Sequence, residues 1–444
     1  SYTVYFNLNN PEHEIAKITP DEIQIMKNGG NEDGIILDGS RKMKPLKFLP
    51  DADLEEADRL LVDLLVGNMT CPQGDRFLIL SWLSCFLLID FAGTRPMTRF
   101  EGSAGSGKTT ASKITSTLLY GEPQHKKATD AANYTDGSQN PLIVLDNIEV
   151  KQMTEDLTTF MLTSITGIAK EKRKSGTDSE TITERTKCLL NTTGIEPLCG
   201  ELSEILSRSF VINFDLANQA SDCFLESEVI SAIQQNRDLI ISAIMKRTSH
   251  VLAMIRDGAQ KQVMRLLHRT MPTHGKRRCN DYLSLMYLMM LAGSEEHEVT
   301  TGLEDLSPLF IEQIHSINDT SQEMARESNP IATALASLFH AYQNAVELDE
   351  KARYGEDDRA NHVVGFIERY QVRFENENTM EPVSAGRLLA ALRRVGREFN
   401  LDFEYKKPAQ LGRRISNDLD VIRDAGFDID RQRNAHTKNF EYRI

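Results

Sequence analysis

A glycine-rich segment at residues 102–109 constrains the fold of this chain more than any other feature of its sequence. It reads GSAGSGKT, fits the pattern G-x-x-x-x-G-K-[ST], and lies between a strand-like run, Pro96–Glu101, and a helical pattern, Lys108–Tyr120. Glycines lack a Cβ atom, so the backbone N–H groups of such a loop can curl around phosphate oxygens. The pattern therefore predicts a strand, a phosphate-binding loop, and a helix whose N-terminus faces the same anion.

The predicted ligands of this loop are ATP and Mg²⁺. Lys108 would reach the β- and γ-phosphates, and the Thr109 hydroxyl would take one position around Mg²⁺. A second Mg²⁺ position is predicted for Asp146, which ends the apolar run PLIVLD; a simple strand-end cap is the alternative. The predicted nucleotide-binding residues are Gly102, Ser103, Ala104, Gly105, Ser106, Gly107, Lys108, Thr109 and Thr110.

The sequence leaves two candidates for the residue that activates the attacking water. Many related ATPases have an acid directly after the metal-binding aspartate, but this chain has Asn147 there. Glu149, three residues after Asp146, is the favoured candidate, with a solvated loop acid as its alternative role. Glu101, just before the glycine-rich segment, is the second candidate.

Two polar residues further along complete the predicted catalytic set. Asn191 ends the apolar run CLLN, where it would orient the attacking water or contact the γ-phosphate; otherwise it caps a loop. Arg208 precedes a final strand-like run, where ring ATPases have an arginine that acts on the neighbouring subunit's site. Arg185 is the second candidate for this arginine finger, and a surface ion pair is the alternative role of Arg208. The predicted catalytic residues are Lys108, Asp146, Glu149, Asn191 and Arg208.

The order of these segments resembles that of AAA+ ATPases among the superfamily 3-like helicases of phages, plasmids and genomic islands. The segments are GSAGSGKT, LIVLDN, KRKS, CLLNTTG and LSRSFVINFD, within residues 50–250. The first is common to P-loop proteins, so the later segments and their order carry the resemblance. It implies an α/β P-loop (AAA+/ASCE) ATPase core, a hexameric ring with ATP sites between subunits, and helicase activity in the replication of a mobile genetic element.

A basic segment before Asn191 is the first predicted contact with DNA. It begins AKEKRKSG at residue 169 and carries Lys170, Lys172, Arg173 and Lys174. In similar helicases a hairpin at this position projects into the central pore and grips the backbone of single-stranded DNA. Lysine and arginine would supply the sequence-independent attraction that such a grip needs. A solvated basic loop is the alternative.

The C-terminal segment is the second predicted contact with DNA. Residues 385–444 contain 13 basic and 9 acidic residues, whereas the whole chain has a net charge of −14. Two helical patterns, AGRLLAALRRVGREF and PAQLGRRISNDLDVIRDAG, precede two strand-like runs, which is winged-helix order. This sequence pattern is similar to that of the C-terminal segment of many phage primase-helicases. The predicted contacts with duplex DNA are Arg413, Arg414, Arg431, Arg433 and Lys438. Winged helices also bind proteins, so a protein partner is the alternative.

The expected domain organisation follows from these segments. The fold class is an α/β P-loop ATPase core with helical flanking domains and a C-terminal winged helix. Scattered cysteines without paired spacing suit a reducing cytosol, so we expect a cytoplasmic protein. The most apolar window, Phe77–Phe91, is shorter than the ~20 residues of a membrane span, so we expect a buried helix and no membrane partner. The expected parts are residues 1–50 (small, β-rich or mixed), 51–94 (helical lead-in), 95–220 (ATPase core), 221–375 (helical lid and linker) and 376–444 (winged helix).

Three functions compete on the sequence alone. The first is an ATP-driven DNA helicase that acts as a ring. The second is an AAA+ ATPase that assembles on DNA and loads or recruits other factors without unwinding. The third, a small-molecule kinase, is disfavoured because the chain carries about 200 additional helical and winged-helix residues.

Overall fold

The described chain divides into two compact units, which meet in the sequence between Ile317 and Asn318. The computed structural model describes residues 2–124, 130–173, 181–186, 188–195, 203–219, 225–270, 279–293, 306–354, 361–401, 403, 405–433 and 440–444. Within these ranges, no helix is long and apolar enough to span a bilayer.

The first unit begins with an antiparallel sheet. Its strands are β1 (Val4–Asn7), β2 (Glu14–Ile18) and β3 (Ile23–Lys27), with β2 in the middle. Ala16 and Ile18 lie on one face of the middle strand and belong to the core of the first unit, so this face packs onto that core. Ile15, on the opposite face, is also buried. These strands lie within residues 1–50, for which a small β-rich or mixed segment was expected.

Two helices follow, α1 (Leu54–Leu64) and α2 (Gln73–Ser84). The Asp53 carboxylate caps α1 by accepting two backbone N–H groups of its first turn. The prediction of one helix through Phe77–Phe91 is wrong beyond Ser84, because the chain continues as two short 3₁₀ turns. The Trp82 indole N–H donates to the Pro96 carbonyl at 2.7 Å, so the chain must turn back within a few residues rather than extend.

An α/β region with a parallel sheet comes next, which confirms the predicted fold class at this level. In order, its elements are β4 (Met97–Glu101), α3 (Lys108–Tyr120), α4 (Asp130–Gln139), β5 (Leu142–Leu145), α5 (Glu155–Thr166), β6 (Ala169–Arg173), β7 (Thr181–Arg185), β8 (Leu189–Thr193), α6 (Ser203–Leu206) and β9 (Ser209–Asn213). Among the described strands, the parallel order is β5-β8-β4-β9, and β6 and β7 form an antiparallel hairpin. The carboxyl ends of β4, β5 and β8 therefore lie side by side.

Strand β8 ends two residues later than predicted. Thr192 and Thr193 pair in register with Arg99 and Phe100 of β4, so the ladder continues past Asn191. Threonine is β-branched and therefore favours a strand. The prediction ended the strand at Asn191 because the two threonines that follow are polar. This shift moves Asn191 from the tip of the strand into its interior.

Long helices complete the first unit and begin the second, within the segment expected to be a helical lid and linker, residues 221–375. They are α7 (Glu226–Arg256), α8 (Ala259–Thr270), α9 (Asn280–Leu291), α10 (Pro308–Ser328), α11 (Pro330–Tyr354) and α12 (His362–Tyr370). Helix α7 packs against α1 and α3. The core of the first unit joins Trp82, Phe100, Leu118, Phe210 and Ile241, each at most 2% exposed. Burying such side chains contributes about 1.5–3 kcal/mol each.

The second unit ends in helices followed by a strand pair, in the predicted order. Its elements are β10 (Phe374–Asn376), β11 (Thr379–Met380), β12 (Val383–Ser384), α13 (Ala385–Glu398), α14 (Pro408–Asn417), α15 (Leu419–Asp424), β13 (Asp430–Arg433) and β14 (Phe440–Arg443). Strand β14 pairs with both β12 and β13. The prediction of one helix over residues 408–426 is wrong, because the chain breaks at Asp418, whose carboxylate accepts hydrogen bonds from Asn329 and Arg414.

Candidate functional site

The glycine-rich segment forms a loop between β4 and α3 that only glycine fits at two positions. Gly102 has a φ of 141°, and a Cβ atom there would lie 2.2 Å from the Phe214 carbonyl oxygen. Gly107 has a φ of 98°, and its Cβ would lie 2.5 Å from the Thr70 hydroxyl oxygen. Both positions therefore require the left-handed freedom and the small size of glycine. The predicted strand–loop–helix context is confirmed.

Thr70 holds this loop from the helical lead-in, a contact that the sequence analysis missed. Its hydroxyl donates to the Ser106 carbonyl, and its own carbonyl accepts the Asp215 N–H at 2.7 Å. The loop is thus fixed between the segment before α2 and the end of β9. No local signal marks Thr70, because its partners lie 36 and 145 residues away in the sequence.

Lys108 turns its ammonium group back into the loop. Its Nζ donates to the carbonyls of Gly102 at 2.7 Å and Ser103 at 2.6 Å. Burial lowers the pKa of Lys108, and the charges of Glu149 and Asp146 partly oppose that effect. The ammonium therefore lies where an anion held by the loop would meet it.

Asp146 brings together the start of α3 and the end of β8. The Thr109 hydroxyl donates to Asp146 Oδ1 at 3.1 Å, and the Thr193 hydroxyl donates to the same oxygen at 2.7 Å. The Thr193 oxygen in turn accepts the N–H of Asn147, which has a left-handed φ of 58°. Hydroxyl and carboxylate oxygens are the donors that Mg²⁺ prefers, so the residues present fit this ion. Thr193 was not among the predicted residues, although it lies within the same CLLNTTG segment.

Asn191 lies inside the sheet rather than at its edge. It is fully buried, its amide oxygen accepts from Ser112 at 2.7 Å, and its amide nitrogen donates to Thr98 at 2.9 Å. These contacts join α3, β4 and β8. The structure thus brings Thr193, and not Asn191, to the strand end beside Asp146.

Both candidate bases lie at this edge of the sheet. Glu101 is 4% exposed and accepts from Arg99 Nε at 3.1 Å. Glu149 is 8% exposed and accepts the Ile195 N–H at 2.9 Å. The Glu149 charge also favours the protonated form of both Arg99 and Lys108.

Arg99 is a buried cation that the sequence analysis did not identify. Besides Glu101, its guanidinium donates to the carbonyls of Ile148 at 2.8 Å and Thr193 at 2.9 Å. Burial lowers the pKa of Arg99, and the Glu101 carboxylate opposes this. A Cβ at Gly194 would lie 1.9 Å from the guanidinium, so this approach requires glycine. Arg99 thereby joins the ends of β4, β5 and β8.

Thr110 and Arg208 make contacts that differ from their predicted roles. The Thr110 hydroxyl donates to Glu226 at the start of α7 at 2.6 Å, and Lys113 pairs with the same carboxylate at 2.7 Å. Arg208 pairs with Glu204 on α6 at 2.9 Å. Its predicted contact with a neighbouring subunit stays a prediction. Arg185, the second candidate, is the last residue of β7.

The predicted DNA-binding residues fall into two groups. Lys170, Lys172 and Arg173 lie on β6, opposite Glu184, Ile182 and Thr181 of β7. In the second unit, Arg413 is exposed on α14, whereas Arg414 pairs with Asp418 at 2.5 Å. Arg431 on β13 stacks 3.6 Å from the ring centre of Phe440 and donates to Ser416. Arg433 ends β13. Lys174 and Lys438 lie outside the described residues.

Comparisons with known proteins give only distant likenesses. No family model matches the chain, and no curated protein matches it. Among solved structures, it is similar to an active helicase, SCCmec type IV Cch, at 12% identity and a TM-score of 0.46, over 99% of this chain and 78% of that one. It is also similar to the C-terminal region of NrS-1 at 12% identity and a TM-score of 0.40, over 99% and 95% of the two chains.

Proposed function

We propose that this chain hydrolyses ATP with Mg²⁺ and uses the energy to move along DNA as a ring-forming helicase of the AAA+ superfamily 3-like type. The observation that carries the proposal is the shared contact at Asp146, to which Thr109 and Thr193 both donate. Together with the glycine loop, it supports a site in which phosphate and metal are bound side by side. The DNA part rests on the charge and position of two basic regions.

Binding of the nucleotide would use the loop and its lysine. The N–H groups of residues 102–107 would surround the phosphates, and Lys108 would exchange its two carbonyl partners for phosphate oxygens. Thr109 and Asp146 would hold Mg²⁺, which neutralises phosphate charge when bound. Thr193 would orient the Asp146 carboxylate from the far side.

Glu149 is the proposed base. It follows Asp146 by three residues, at the carboxyl edge of the sheet, and the Ile195 N–H orients its carboxylate. Glu101, by contrast, forms an ion pair with Arg99, whose side chain is fully buried. Breaking such a pair costs about 3–5 kcal/mol, so we assign Glu101 the structural role of balancing Arg99.

Arg208 is the proposed finger toward a neighbouring subunit. Its ion pair with Glu204 is an i,i+4 contact, and the Glu204 side chain is 58% exposed. Exposed pairs of this kind contribute about 0.3–0.5 kcal/mol. Arg208 itself is 15% exposed and also donates to the Glu204 carbonyl, so its side chain would have to leave α6 to reach a phosphate of the adjacent site. The proposed ring has six subunits, a number taken from the family resemblance.

The proposed DNA contacts use both units. The β6–β7 hairpin would grip the backbone of single-stranded DNA with the lysines and arginine of β6. In the second unit, the order β12, α13, α14, β13 and β14 supports a winged helix, with α14 entering the major groove. The Arg431–Phe440 stack would stiffen the wing.

Unwinding of a forked, labelled DNA duplex tests the proposal, with Lys108→Ala as the control. We expect ATP-dependent strand separation by the wild type and none by the variant. Robust, DNA-stimulated ATP hydrolysis without strand separation would contradict the proposed helicase activity and favour an ATPase that loads or recruits other factors. Absence of ATP hydrolysis in the wild type would contradict the site itself.

A further inference from the structure

Arg95 is a second buried arginine near the sheet, and it lies outside the proposed nucleotide site. It is 8% exposed and precedes β4 by two residues. Its Nε donates to the Ile89 carbonyl at 3.0 Å, and its backbone N–H donates to the Ile165 carbonyl at 2.7 Å. The side chain is thus held at the end of the lead-in, and the backbone of the same residue is held at the end of α5.

The guanidinium of Arg95 lies between the two ends of the β6–β7 hairpin. Its Nη1 donates to the carbonyl of Thr186, the residue directly after β7, at 2.8 Å. Gly167, two residues before β6, packs against the other side, where an added Cβ would lie 3.0 Å from Nη2. The guanidinium therefore lies next to the residues that flank both ends of the hairpin, with a hydrogen bond at Thr186 and close packing at Gly167.

The backbone of Arg95 leads directly into the strand that carries the glycine loop. Strand β4 runs from Met97 to Glu101 and is followed by that loop. Just before Arg95, the N–H groups of Gly93 and Thr94 donate to the Asp281 carboxylate of α9. These two hydrogen bonds anchor the chain just before β4. A displacement of β4 would therefore be passed to the hairpin through Arg95, because a packed core transmits strain.

We propose that Arg95 is the positioning residue that couples the nucleotide loop to the β6–β7 hairpin. This inference rests on the proposed function, because it takes the loop to bind ATP and the hairpin to bind single-stranded DNA. Lysine at this position keeps the charge but lacks the planar set of donors, so it cannot bind the carbonyls of Ile89 and Thr186 together while packing against Gly167. Arg95→Lys should therefore separate hydrolysis from its response to DNA.

The test compares ATP hydrolysis by the full chain with and without a single-stranded oligothymidylate. For Arg95→Lys we expect a basal kcat within about twofold of the wild type and stimulation by DNA reduced at least about fivefold, since the coupling and not the site is lost.

Arg237→Lys is the matched control. Arg237 is 3% exposed and likewise binds carbonyls, those of Leu118 and Leu119, but lies away from the hairpin. It should keep full stimulation.

A second pair of variants covers the case in which Arg95→Lys does not fold. Gly167→Ala adds a Cβ 3.0 Å from Nη2, so the guanidinium must shift by a few tenths of an ångström, and the substitution is made at a φ of 65°. Gly258→Ala carries similar backbone strain at a φ of 90° with no atom within 4 Å of its Cβ. We expect only Gly167→Ala to lose stimulation.

Three outcomes overturn the inference. They are wild-type stimulation in both Arg95→Lys and Gly167→Ala, equal loss in the matched controls, and a wild type whose hydrolysis does not respond to DNA. The last outcome also removes the DNA part of the proposed function, whereas the first two leave that function standing.

Discussion

The hydroxyl of Thr109 lies 3.1 Å from Asp146 Oδ1, although 37 residues separate them in the sequence. This contact joins the first turn of α3 to the end of β5, and Thr193 reaches the same oxygen from β8. Three segments of the chain thus meet at one carboxylate. Each proposed step of ATP hydrolysis depends on groups within this small region.

Replacing Lys108 with alanine should abolish ATP hydrolysis, because its ammonium is the cation inside the glycine loop. Lys113→Ala is a matched control on the same helix, since Lys113 pairs with Glu226 and not with the loop. We expect the control to keep kcat within about twofold of the wild type, because a surface ion pair such as Lys113–Glu226 contributes little to stability and lies outside the loop. Steady-state phosphate release measures both, and hydrolysis by Lys108→Ala would contradict the site.

Glutamine substitutions should distinguish the two candidate bases. Glu149→Gln should lose turnover and keep nucleotide affinity, because only the proton acceptor is removed. Glu101→Gln should instead lower the free energy of unfolding by about 3 kcal/mol, because the buried Arg99 loses its ion-pair partner. Single-turnover hydrolysis and urea denaturation report the two effects. Normal turnover in Glu149→Gln would reject it as the base.

Arg208→Ala should lose turnover without losing nucleotide binding, because the proposed finger acts on the neighbouring subunit. Mixing this variant with Lys108→Ala is the informative measurement. Mixed rings would contain interfaces with an intact loop on one side and an intact arginine on the other, so hydrolysis should partly recover. No recovery in rings shown to be mixed would argue against action between subunits.

Arg413 and Arg414 are adjacent on α14 but should differ in their effect on binding to duplex DNA. Arg413 is exposed, whereas the charge of Arg414 is offset by Asp418 at 2.5 Å. Arg413→Ala should therefore reduce the slope of log affinity against log salt by about 1, the loss of one phosphate contact. Arg414→Ala should change it little. Fluorescence anisotropy across a salt series measures both, and the reverse ranking would contradict the assignment.

Asp75, in the first turn of α2, should make stability depend on pH. Burial raises the pKa of Asp75 to about 6. The folded chain therefore binds a proton more tightly than the unfolded chain, so this contribution is complete below about pH 4 and is lost as the pH rises through 6. Asp75→Asn should be about 1–3 kcal/mol more stable than the wild type at pH 7.5, and equal to it near pH 4.

Urea denaturation at both pH values measures this difference. Asp63→Asn serves as the control, because Asp63 is exposed and its replacement should change stability little at either pH. A pH-independent gain in Asp75→Asn would point to another cause, such as helix propensity.

Local patterns were sufficient for the elements that carry the site. The strand before the glycine loop and the helix after it were both predicted to within two residues. These elements are marked by signals within a few consecutive residues of the sequence. The signals are the glycines at positions 102 and 107 and the apolar runs bounded by turn residues. Element ends were less accurate where packing decides them, as at Ser84, Asp418 and Thr193.

The sequence by itself predicted the glycine loop, Lys108 and Thr109, because their spacing is a local property of strand, turn and helix, and it predicted Asp146 from the apolar run that Asp146 ends. Only the tertiary structure decided that Thr193 and not Asn191 lies beside Asp146, and that buried arginines hold the strand ends and the hairpin. Register sets which side chain reaches the edge of a sheet, and a shift of two residues moves the edge position to another residue. Contacts such as Arg95 with Thr186 span 91 residues, and no local periodicity encodes them.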